Sequence, residues 1–271
     1  MSAPRTEGPG ADGGGAAALV DGAAVAMVGA AVLVVADRPA VMWAVLLVAL
    51  VARFVLWRRL HPERSLAVEL VFFAVCAVVG AFNDLNTVAL HGVYRYTAPS
   101  ELPALSPIPL WMLLYWGLIL RFVLALTRWH GLGAPRPRRV LGRRSIPRLL
   151  ALVAAVIVPT RLVLFARYED ALWSWLPFAV ALGVFAVVGR VDRHDLRLAA
   201  LALVVGPVVE ALFIRVGHLH AYALGWLFGV PLWIVLWWAL SVWIWKDVGA
   251  LAHAGIERAL GRLRARRVST A

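Results

Sequence analysis

Eight predominantly apolar stretches of 18 to 21 residues, at 18–36, 40–57, 65–83, 107–127, 147–166, 171–189, 196–214 and 227–245, occupy most of this chain. As a helix, each is long enough to cross a hydrocarbon core of about 30 Å. Lipid offers no partner to a backbone N–H or C=O, and a helix satisfies those groups within itself. The composition demands the same solvent. Of 271 residues, 62% are hydrophobic and the mean hydropathy is +0.82, against roughly 45–50% apolar in a soluble domain. The sequence therefore predicts an all-α, polytopic membrane protein of about eight transmembrane helices.

The net charge is +12, and its distribution excludes nucleic acid as the reason. Basic residues gather in alternate connections: Arg58, Arg59 and Arg64; then Arg128, Arg136, Arg138, Arg139, Arg143, Arg144 and Arg148; then Arg190, Arg193 and Arg197; then Lys246 with Arg258, Arg262, Arg264, Arg266 and Arg267. The opposite connections hold only Arg38, Arg95, Arg167 and Arg215. This is the charge bias of a multi-pass protein in a bacterial-type cytoplasmic membrane, and it places both termini on the cytoplasmic side. Trp57, Trp129, Trp173 and Trp245 stand at span ends as interfacial anchors. The lone Cys76 supports no disulfide framework.

The chain also resembles itself. Glu69-Leu70, Val78-Val79-Gly80, Asp84 and Tyr96 match Asp195-Leu196, Val204-Val205-Gly206, Glu210 and Tyr222, each at an offset of 126. Pro109-Leu110-Trp111 and Trp116 match Pro231-Leu232-Trp233 and Trp238 at an offset of 122. An even number of spans per copy puts both copies into the membrane in the same direction, so the expectation is two parallel four-helix repeats. The expected organisation is a Gly/Ala-rich tail at 1–16, a first repeat at 17–127, a basic cytoplasmic loop at 128–146, a second repeat at 147–246 and an amphipathic basic tail at 247–271.

Both copies carry their richest polar cluster at the outer end of the third span. The first holds Asn83, Asp84, His91, Tyr94, Arg95 and Tyr96, and the second Glu210, Arg215, His218, His220 and Tyr222. A carboxylate at membrane depth is costly unless paired or hydrated, which makes Asp84 and Glu210 the candidate catalytic acids. Pairing with Arg95, Arg161 or Arg215 is the structural alternative. Trp111, Trp116, Trp233, Trp237 and Trp238 fall beneath the clusters as candidate walls of an aromatic cavity, with Trp111, Trp233, Tyr94, Tyr96, Tyr222, His218, His220 and Arg215 as substrate contacts. His218, His220 and His91 come with no carboxylate–His spacing of a known metal motif, so no metal and no cofactor are expected. Glu69 and Arg53 fall at similar depth near the inner surface and read as a structural ion pair.

The run His91-Gly92-Val93-Tyr94-Arg95-Tyr96-Thr97, followed by Pro109-Leu110-Trp111 and Trp116, resembles a stretch of bacterial and archaeal carotenoid-biosynthesis membrane proteins, among them the carotenoid hydratases. The resemblance implies an isoprenoid substrate whose double bond is protonated by a carboxylic acid, with aromatic faces steadying the cation. Asp84 takes the place of that family's upstream Glu. The leading expectation is modification of a lipid-soluble substrate, and the alternatives are a non-enzymatic carrier and a structural membrane subunit. Membrane lipid is the expected partner, and the sequence leaves the oligomeric state open.

Overall fold

In the computed structural model, which describes residues 13–132 and 146–269, the chain is a bundle of eight α-helices. They are α1 (Gly13–Val35), α2 (Pro39–Leu60), α3 (Leu66–Asp84), α4 (Leu110–Thr127), α5 (Ile146–Arg167), α6 (Leu176–Val188), α7 (Arg193–Arg215) and α8 (Leu232–Ser269). Seven are long and apolar enough to cross a membrane. The exception is α6, whose 13 residues reach only about 20 Å. The stretch ahead of it turns instead of continuing the helix, because the Asp170 carboxylate takes the backbone N–H groups of Leu172 and Trp173. The first twelve residues of the 1–16 tail, and 133–145 of the basic loop, lie outside the described residues.

Local chemistry sets the helix ends. Pro39 opens α2 at a position where its missing N–H leaves no bond unmade. At the start of α7 a capping box forms, Asp192 accepting from the Asp195 backbone and Asp195 from that of Asp192. The last helix runs unbroken for 38 residues, about 57 Å, so the amphipathic tail is a rigid continuation of the last span.

In the first half α1 packs on α2 and α4, and α3 on α4. In the second, α5 packs on α6, and α8 on both α6 and α7. The halves meet where α8 lies against α3 and α4. Two cores form. One is mostly of the first half, around Val28, Met42, Leu46, Trp111 and Leu118, but is joined by Phe213 and Leu219. The other is mostly of the second, around Leu164, Phe178, Phe185, Leu240 and Trp243, but is joined by Val88, Val93 and Ile108. Outward faces such as Val48, Val51, Val55, Val204 and Val208 are exposed aliphatics, as a lipid-facing surface requires.

Two close helix contacts depend on glycine. A Cβ on Gly80 of α3 would stand 2.3 Å from the Trp116 side chain of α4, and one on Gly206 of α7 would stand 2.5 Å from the Trp238 ring of α8. Only hydrogen fits at either place.

Between α1, α2, α3 and α4, four buried charges close on one another. Arg53 binds Asp21 at 2.7 Å and also Glu69, while Arg121 binds Glu69 at 2.5 Å and Asp21 at 3.0 Å. The expected Glu69–Arg53 pair is thus half of a neutral square that also enlists α1 and α4. In the second half, Lys246 pairs with Asp195.

Candidate functional site

After Asp84 the helix widens into a π-helical turn, Leu85–Leu90, a local expansion often found at functional sites. Gly92 then adopts a left-handed backbone (φ +62°) and turns the chain into β1 (Tyr94–Tyr96). In the second half His218 adopts the same hand (φ 45°) ahead of β2 (His220–Tyr222). The two strands pair antiparallel, Tyr94 opposite Tyr222, Arg95 opposite Ala221 and Tyr96 opposite His220. Backbone bonds seal both ends of the ribbon, from Thr97 N–H to Leu219 O (2.9 Å) and from Ala223 N–H to Val93 O (3.3 Å).

This ribbon lies over both acids. Asp84 is wholly buried and accepts three hydrogen bonds: from Tyr94 Oη (2.6 Å), Tyr96 Oη (2.6 Å) and Trp116 Nε1 (2.8 Å). Glu210 binds His220 Nε2 at 2.9 Å and accepts from Tyr222 Oη at 3.2 Å, both on Oε2. Its side chain keeps 11% of its surface exposed. Among the described residues neither acid forms an ion pair with an arginine, so hydroxyl and ring N–H groups replace the Arg95, Arg161 or Arg215 partners weighed from the sequence. Burial, followed by the adjacent carboxylates, holds the Tyr94, Tyr96 and Tyr222 hydroxyls well above the usual phenol range, so all three remain donors at any physiological pH.

Two cavities flank Glu210. One of about 370 Å³ runs between α4 and α7, from Tyr94, Glu210 and His220 at one end to Leu126 and Leu198 at the other. Its walls are otherwise almost wholly apolar. The other, of about 50 Å³, is bordered by Glu210, Asn83, Arg161, Trp233 and Trp237. Arg161 donates to Asn83 Oδ1 at 2.6 Å and lies 4.2 Å from the Trp237 ring centre. Among the described residues Glu210 is the one acid that lines either cavity. Asp84 borders neither.

The structure therefore gathers six of the ten residues singled out from the sequence, Asp84, Tyr94, Tyr96, Glu210, His220 and Tyr222, and a seventh, Trp233, meets Tyr222 edge-on at 5.7 Å. The other three stand apart. Trp111 is fully buried in the first-half core. Arg215 is exposed and donates to Phe228 O at 3.0 Å. His218 is exposed, its backbone carbonyl accepting from Thr97 Oγ1. The third histidine, His91, stacks on Phe165 at 3.8 Å. The one group of His, Cys and acid side chains close enough to share a metal among the described residues is Asp192, His194 and Asp195, and its carboxylates already serve the α7 cap and Lys246. Trp116, Trp237 and Trp238, read from the sequence as walls of an aromatic cavity, line the cavities here, but sequence reasoning missed Trp116 as an Asp84 donor. The signal was there, as Trp116 and Trp238 correspond at the 122 offset.

Compared with known protein families, with characterised proteins and with solved structures, the chain matches none.

Proposed function

We propose that this chain is an integral membrane enzyme that performs acid–base chemistry on a lipid-soluble substrate, where two parallel four-helix repeats meet. One observation carries the reading: a buried carboxylate, Glu210, stands at the end of an apolar cavity and is hydrogen-bonded there to a histidine and a tyrosine, His220 and Tyr222. Proton transfer needs a group within bonding reach of the reacting atom and shielded from bulk water. Asp84 is the same acid in a saturated state, and its three donors make it a positioning residue for the ribbon. Glu210 is the catalytic residue.

Support for the repeats comes from contacts that recur at the sequence offsets. The bonds from Val93 N–H to Thr87 O and from Leu219 N–H to Phe213 O correspond, as do the two bonds sealing the ribbon. The left-handed residues Gly92 and His218 correspond as well, and so do the glycine–tryptophan contacts. In the ribbon, Arg95 faces Ala221, its own counterpart at the 126 offset, so the pseudo-two-fold passes between them.

The resemblance to carotenoid-biosynthesis proteins makes the substrate an isoprenoid. In that reaction the Glu210 carboxylic acid gives its proton to one alkene carbon. The adjacent carbon becomes cationic beside the faces of Trp116, Trp238 and Tyr222. Water then forms a C–O bond there and returns a proton to Glu210, for net addition of H and OH. The setting is a bacterial-type cytoplasmic membrane, with both termini inside.

The test compares lipid extracts from cells that lack the protein with extracts from cells that make wild type, Glu210→Gln or Asp84→Asn. Wild type alters the lipid profile, and Glu210→Gln is folded but silent. Asp84→Asn keeps the activity in proportion to the protein that folds. A folded Glu210→Gln protein that yields the wild-type profile would remove Glu210 from catalysis.

A further inference from the structure

The two copies differ in one hydrogen bond, and the difference falls at the cavity. In the first, Trp116 Nε1 donates to Asp84. In the second, the corresponding Trp238 Nε1 is buried and has no partner. A buried N–H without a partner forfeits the hydrogen bonds it made to water, so its persistence needs an explanation. Trp238 lines both cavities together with Glu210. Around the end of the apolar slot the protein thus holds one unused donor, on the Trp238 indole, and one carboxylate able to accept a further bond, Glu210.

A group that suits both must accept from the indole and donate to the carboxylate. A hydroxyl does so with a single oxygen, whereas a ketone or ether only accepts and an ammonium only donates. The slot sets the rest of the ligand. Along α7 it extends from Glu210 to Leu198, about 18 Å, and Met112, Ile119, Phe122, Val205 and Val209 make its walls apolar. Val205 is exposed and lines the cavity near the middle of the membrane-spanning α7, so an opening beside it lies at the depth of lipid instead of water.

We propose that the slot between α4 and α7 binds a long-chain alcohol drawn laterally from the bilayer, its hydroxyl bridging Glu210 and Trp238 and its hydrocarbon chain pointing toward the inner leaflet. This rests on the reading of Glu210 as the acid of the site and adds the ligand's polar group, its orientation and its route. The hydrocarbon belongs to a polyprenyl or to an acyl-type alcohol, which present the same oxygen to the same two groups.

The experiment uses the full chain in lipid nanodiscs with four photoreactive probes, each carrying a diazirine in the chain: a linear long-chain alcohol, a polyprenyl alcohol, the linear hydrocarbon without oxygen, and a phosphatidylcholine. Crosslinked peptides are located by mass spectrometry. Saturable labelling of α4 and α7 by one of the alcohols, displaced by the unlabelled compound and at least tenfold above the hydrocarbon, is the expected result, and the stronger alcohol identifies the source. Trp238→Phe lowers that labelling about tenfold without lowering labelling of the outer faces of α2. Ala202→Trp blocks the slot and removes the labelling, and Val205→Trp does the same at an exposed lining position should the first variant fail to fold. Equal labelling by alcohol and hydrocarbon, or saturable labelling by phosphatidylcholine alone, would overturn the proposal. Glu210→Gln keeps an acceptor and so retains the probe while losing the lipid product. Probe binding without any product in wild type would sink the catalytic reading and spare this one, and product without slot labelling would do the reverse.

Discussion

Replacing Glu69 by Gln perturbs the buried square of Asp21, Arg53, Glu69 and Arg121 while changing shape very little. In the native protein two negative and two positive groups cancel, each anion meeting both cations. Glu69→Gln leaves Arg53 and Arg121 to share Asp21, so one positive charge is stranded among atoms that no water reaches. Breaking a buried ionic set by removing one member costs about 3–5 kcal/mol. At roughly 2–4 °C per kcal/mol for a chain of this size, the midpoint of unfolding falls by about 6–20 °C. Arg121→Gln incurs a similar loss with the opposite sign of residual charge. The double variant Glu69→Gln/Arg121→Gln restores neutrality, with Asp21 and Arg53 still paired, and recovers on the order of 2 kcal/mol of the summed losses. Intrinsic fluorescence melts of all three proteins in the same detergent measure this, the thirteen tryptophans supplying the signal. Single losses under about 1 kcal/mol, or a double variant that is simply additive, would refute the picture of a mutually compensated square.

Gly80→Ala drives a methyl into the Trp116 side chain and costs about 1–3 kcal/mol by overpacking, measured by the same melts, with Gly206→Ala behaving alike against Trp238. His218→Gly relieves a left-handed backbone and raises stability by up to about 1–2 kcal/mol; a clear loss would show that the imidazole bears weight after all. Ultraviolet titration of the folded protein leaves Tyr94, Tyr96 and Tyr222 protonated beyond the range in which exposed tyrosines ionise. Because their folded pKa values are raised, their contribution to stability is whole below about pH 10 and is lost as pH rises above the unfolded value. An impermeant thiol reagent labels cysteines placed in the 97–106 connection of intact cells but not those in 134–146, and the reverse pattern would overturn the assigned orientation.

Spanning length and apolar character made the helices legible in advance, since both are properties of contiguous sequence. The sixth span, 171–189, was misjudged in length because Asp170 turns the chain through bonds to two nearby N–H groups, and hydropathy averaging is blind to so local a device. The acids and tyrosines of the site stood out through recurrence at fixed offsets. His218 and Arg215, whose counterparts at the 126 offset are Gly92 and Ala89, had no such recurrence and stand apart from the acids, the His218 carbonyl accepting from Thr97 and Arg215 donating to Phe228 O. The sequence said nothing of which side of each strand would face an acid, or that a fourth element would bring Arg121 to Glu69. Those facts depend on strand pairing and helix rotation, which arise only between segments distant in the chain.

The distribution of bonding partners along the chain has a consequence for biogenesis. The donors to Asp84 are Tyr94, Tyr96 and Trp116, and the square of charges is complete by Arg121, so every acid of the first half described here finds its partners before the ribosome begins the second. Glu210 likewise depends on His220 and Tyr222, and Asp195 on Lys246, all later than the central basic loop. Each half can therefore leave the translocon without a bare carboxylate facing lipid, an exposure that would penalise insertion. What waits for the whole chain is the strand ribbon and the slot beneath it. The bilayer is thus asked to accept in succession two units whose buried carboxylates are already bonded, and the site forms at their junction as the last event of assembly.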